Sequence, residues 1–81
     1  MKNKDVIVTI ICEITGRPAV EAERMAEEML ALNPATFLDL EQEISETDAA
    51  FLLNELRKRK DGIRLTLIES GMIVLSGEGT A

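Results

Sequence analysis

Apolar positions recur at helical spacing from the start of the chain. Ile7, Ile10, Ile11 and Ile14 share one stripe, while Lys2, Asp5, Thr9, Glu13 and Gly16 fall on a narrow opposite arc. A strand competes for the same residues. Six of the seven residues from Val6 to Cys12 are β-branched, and Val6, Val8, Ile10, Cys12 and Ile14 would make one apolar strand face. That strand would leave Ile7 and Ile11 on the face of Asp5, Thr9 and Glu13, so the helix is the preferred reading. Asn3 is its expected N-cap and Gly16 its expected stop.

Thr15-Gly16-Arg17-Pro18 breaks the chain, and Pro18 suits the first turn of a second helix. Ala22, Met25, Ala26 and Met29 are its inward stripe, with Glu21, Arg24, Glu27 and Glu28 outward, as far as Leu32. Asn33-Pro34 repeats the punctuation and predicts a short third helix with Phe37, Leu40 and Ile44 inward. Ser45-Glu46-Thr47-Asp48 reads as the start of a fourth, with Ser45 as cap and acids in the first turn. Its inward residues are Ala49, Leu52, Leu53 and Leu56, and Gly62 is the expected left-handed stop.

Ser70-Gly71 interrupts any helix drawn from Ile63 to Ser76, so the tail is read as a β-hairpin with the loop Glu69-Ser70-Gly71. Ile63, Leu65, Leu67, Ile73 and Leu75 then share one face, and Gly71 takes the loop position that needs positive φ. Ile68, Met72 and Val74 form an apolar strip on the other face, the candidate partner interface. The expected architecture is one α+β domain over residues 1–81. It has three to four helices, a C-terminal hairpin and a loose tail at 76–81. Helices followed by a hairpin resemble the layout of a winged-helix domain, a likeness of fold order alone. A strand at 5–14 would instead give a three-stranded antiparallel sheet with helices on one face.

Composition narrows the chemistry. The 81 residues hold no His, Trp or Tyr, and Phe37 and Phe51 are the aromatic residues. Imidazole-based triads and metal sites are therefore ruled out, and stacking platforms for single-stranded nucleic acid nearly so. The single cysteine, Cys12, cannot close an internal disulfide and fits a reducing, cytoplasmic setting. Lys2 and Lys4 before Val6–Cys12 faintly mimic a signal peptide, but Thr9, Glu13 and the absence of a small-residue cleavage site favour a core element. No run approaches the length of a membrane span.

The net charge of -6 conceals a split. From Glu21 to Asp48 there are nine acids against Arg24 alone, a net of −8. Residues 57–64 carry Arg57, Lys58, Arg59, Lys60 and Arg64 against Asp61, a net of +4. Those five bases could contact phosphate in a winged-helix nucleic-acid-binding regulator. Their place at a helix C-terminus, with Glu55 four residues before Arg59, equally suits dipole compensation and an ion pair, so nucleic acid is the disfavoured partner. The acidic segment lacks a calcium loop and is read as a solvated face. Met25 and Met29 are read as plain core, and Cys12 as an inert buried thiol.

Length, acidity and helical content resemble those of acyl carrier proteins, but the family's Asp-Ser-Leu attachment motif is absent. Ser45 stands in Ile44-Ser45-Glu46, and the function is not carried over. The sequence therefore predicts no catalytic, cofactor or metal residues. The expectation is a non-enzymatic interaction or adaptor domain that docks on a protein partner or on a second copy through the hairpin.

Overall fold

The β-branched N-terminal run is helical. The computed structural model describes residues 1–32 and 39–73. Within them lie α1 (Asn3–Thr15), α2 (Ala19–Leu32), α3 (Glu46–Lys58) and α4 (Lys60–Glu69). Burial explains why α1 overrides its strand-forming composition. A β-branched residue costs a helix less than about 0.7 kcal/mol relative to Ala. Burying an Ile side chain returns about 1.5–3 kcal/mol. Val6, Ile7, Ile10 and Ile11 are all buried. Gly16 ends α1 as expected, at φ 72, with its N–H donating to the Cys12 carbonyl at 2.8 Å.

The start of α1 differs from expectation in an informative way. Lys2, not Asn3, is the N-cap. The Asp5 carboxylate accepts from the Lys2 N–H at 2.7 Å, and the Asp5 N–H donates to the Lys2 carbonyl at 3.0 Å. Asn3 is instead buried, its side-chain amide donating to the Asp39 carbonyl. The Asn3 and Lys4 N–H groups donate to the carbonyls of Gln42 and Leu40, each at 3.0 Å. Residues 39–44, expected within the third helix, form a turn at Leu40 and Glu41 followed by an isolated bridge between Glu43 and Lys2. A distant loop thus satisfies N–H groups that a helix start leaves without intrahelical partners. Leu40 is buried and Ile44 half-buried; Phe37 lies outside the described residues.

The α+β expectation fails at the tail. Among the described residues there is no strand and no hairpin, and the winged-helix likeness and the three-stranded alternative both fall with it. Residues 63–68, expected as the first strand, belong to α4, as does Glu69 of the expected loop. Helical period separates their side chains: Leu67 is 0% exposed and Leu65 55%, where a strand would have put both on one face. Gly71 does adopt positive φ, at 78, but as a helix terminator. Its N–H donates to Ile68 and that of Met72 to Leu67, both at 3.0 Å. This is the Schellman pattern, completed by Met72 packing on the core that contains Leu67. Gly62, expected as a stop, lies inside α4 without positive φ. The break between α3 and α4 falls earlier, at Arg59, with φ -103 and ψ 17. Val74, Leu75 and Ser76 lie outside the described residues.

α2 and α3 follow the expected pattern more closely. Ala22, Met25, Ala26 and Met29 are buried, and Ser45 caps α3 by accepting from the Asp48 N–H at 3.1 Å. α1 packs against α2, α3 and α4, and α3 against α4. The core joins Ile7, Ile10 and Ile11 of α1 to Ala22, Met25, Ala26 and Met29 of α2, to Leu40 and to Leu67 of α4.

The two glycine substitutions have opposite expected signs in urea unfolding. Gly62→Ala, at a helix position with no atom within 4 Å of an added Cβ, gains about 0.5–1 kcal/mol. Gly16→Ala, in the left-handed region at φ 72, loses about 1–2 kcal/mol. A loss at Gly62 would restore the turn reading.

Candidate functional site

The expected partner strip is described only in part. Ile68 and Met72 are half-buried near the end of α4, and Met72 packs against the core; Val74 lies outside the described residues. The basic segment is largely engaged with carboxylates. Arg57 donates twice to Glu13 of α1, Nε to Oε1 at 3.2 Å and Nη2 to Oε2 at 2.7 Å. Lys60 Nζ lies 3.9 Å from Glu13 Oε1. Lys58 pairs with Glu55 at 3.5 Å, in place of the expected Glu55–Arg59 pair. Arg59 and Arg64 are exposed. Glu13 therefore ties α1 to both α3 and α4. The hydrogen bonds from Arg57 hold its carboxyl below the usual carboxylate range and raise the Arg57 guanidinium in turn.

The acidic segment is likewise used in cross-links. Glu41 of the capping loop accepts from Lys2 at 2.9 Å and lies 3.5 Å from Lys4, which also reaches Glu23 of α2 at 3.5 Å. The hydrogen bond and charge of Lys2, with the charge of Lys4, pull the Glu41 carboxyl down. Among the described residues no group of three or more acidic or thiol side chains is placed to hold a metal. Cys12 is half-buried against the core. No helix among the described residues is long and apolar enough to cross a membrane.

A cleft that the sequence did not reveal opens between the N-terminal halves of α1 and α3. It encloses about 330 Å³ and is lined by Met1, Asp5, Val6 and Thr9 on one side and Glu46, Ala49, Ala50 and Leu53 on the other. Local sequence explains its shape. Val6 and Ala49 are buried and form a floor, while Ala50 is too small to fill the space above it. Ser45 and Asp5 fix the two helix starts, which places Glu46 and Asp5 at one end. At the other end Glu13 meets Arg57, so α1 and α3 run in the same direction. The charged and polar side chains of the lining are the two carboxylates and the Thr9 hydroxyl, which already donates to the Asp5 carbonyl at 2.9 Å, and Met1 adds the terminal ammonium, 3.8 Å from Glu43. The cleft's volume sits at the lower end of the ~300–1,000 Å³ typical of ligand pockets. The sequence pattern places Ala49 and Leu53 in the core alone; the adjacent alanines at 49 and 50 are the sequence signal for a gap.

Comparison with protein-family models, with curated proteins and with solved structures returns no match.

The depressed carboxyls set a pH window. A carboxylate whose pKa falls on folding contributes stability that is present above its unfolded pKa and lost as pH drops through its folded pKa. Glu13→Gln and Glu41→Gln should each be less stable than the parent at neutral pH. The difference should shrink toward zero in thermal melts taken below about pH 4 and narrow in high salt. A deficit that persists unchanged in acid would mean that the carboxylates act through packing rather than charge.

Proposed function

We propose that the protein is a non-enzymatic interaction module that receives apolar side chains of a different protein in the α1–α3 cleft. The observation that carries this reading is the cleft's make-up: Val6, Ala49, Ala50 and Leu53 line it together with the two exposed carboxylates Asp5 and Glu46. Apolar surface left open between packed helices gains from being covered, and a rim of charge selects what covers it. A second copy is the weaker occupant, because both chains carry a net charge of -6. Glu13, held between Arg57 and Lys60, places a carboxylate inside the basic segment and favours a protein over a phosphate backbone as partner. The lone Cys12 thiol suits such a module to a reducing compartment such as the cytoplasm.

Ala50→Arg tests the reading. Ala50 is exposed on α3 and lines the cleft, and Arg is a good helix former, so the variant fills the space with little change in helicity. Used as bait beside the parent, it should lose one or more proteins that the parent retains, at unchanged circular dichroism. Equal retention by both baits would contradict the proposal.

A further inference from the structure

Resting on the cleft as a protein-docking site, we infer that its occupant is an amphipathic helix with an apolar stripe and cationic flanks. Three observations select it. The first is the helical make-up of both walls. The cleft is walled by two helices, and among the described residues no sheet edge is present to pair with an extended segment. An incoming chain must bring its own backbone hydrogen bonds, which a helix does. The second is length. The wall on α3 runs from Glu46 to Leu53, a rise of about 10 Å along the helix. That matches the span from position i to i+7 of an incoming helix, the usual set of anchor side chains. The third is charge. Asp5 and Glu46 are both exposed at one end of the cleft. The nearby cations of the chain have carboxylate partners of their own: Lys2 with Glu41, Lys4 with Glu23 and Glu41, and the ammonium of Met1, itself a lining residue, with Glu43 at 3.8 Å. Lys or Arg on the incoming helix meets the two rim carboxylates without displacing an existing pair.

Three labelled peptides of about 16 residues test this by fluorescence anisotropy and by amide chemical shifts of the protein. One carries Leu at i, i+4 and i+7 on a Lys background. The second has the same leucines on a Glu background. The third keeps the Lys background with the leucines scattered round the helix. The first should bind at least about tenfold more tightly than either control and shift the amides of Val6, Thr9, Ala50 and Leu53. Ala50→Arg and Glu46→Lys should each weaken it by about tenfold or more. Equal binding of the scattered peptide, or unchanged binding to Ala50→Arg, overturns the inference by reducing it to bulk charge attraction. Cleft-specific binding of the Glu peptide, or of an acidic or non-helical captured protein, overturns the cationic helix but leaves the docking reading intact. If no peptide shifts the cleft amides and Ala50→Arg loses no captured protein, both fail.

Discussion

Ile10 and Ile11 are neighbours in the chain, and both are shut off from water, at 1% and 0% exposure. On a helix, adjacent side chains point about 100° apart, so no single packing partner can cover the pair. α1 therefore needs neighbours on more than one side, and the remaining architecture follows from that need. α2 contributes Ala22, Met25, Ala26 and Met29, α4 contributes Leu67, and the loop contributes Leu40 to the same cluster. Among the described residues, the substantial contacts between helices run through α1, apart from those of α3 with α4. The polar cross-links obey the same geometry: Glu13 reaches α3 and α4, Lys4 reaches α2, and the first N–H groups of α1 are closed by carbonyls some forty residues away.

The cleft is a by-product of that arrangement. α1 directs its large side chains toward α2, α4 and the loop, and it meets the first turns of α3 across Val6, Ala49 and Ala50. Small residues at the crossing leave space that Leu53 only partly fills. The carboxylates at its rim sit in the first turns of two helices, where the macrodipole favours negative charge. The acidic rim thus serves helix stability as well as any partner, so the negative character of this end is built into the fold.

Much of this was legible in the sequence and some was not, for physical reasons tied to particular residues. The stripes of α1 and α2, the Gly16 stop and the Ser45 cap depend on interactions within a few residues, and they are found where the pattern places them. The tail was misread because Ile63, Leu65, Leu67, Ile73 and Leu75 alternate as well as a strand does, and because positive φ at Gly71 serves a hairpin loop and a Schellman cap alike. The deciding feature was the pair Leu67 and Met72, which supplies the apolar contact of such a cap. Gly62 drew the helix stop to itself, whereas the break falls at Arg59, which carries no breaker residue. The loop at 39–45 spends its carbonyls on a partner across the chain, which no local pattern encodes. The cleft escaped notice for a similar reason. It is defined by what two distant segments leave unfilled, and Ala49 and Ala50 look like ordinary core and surface positions when read singly.

The burial of α1 holds the other elements together. Native-state amide hydrogen exchange tests it most directly, because sites that open only with the whole fold exchange last. The amides of Ile10, Ile11 and Cys12 should be the slowest in the protein, with an opening free energy equal to that of global unfolding by urea. If the amides of Met25 to Met29 in α2 outlast them, α1 can detach while the rest persists, and the account is wrong.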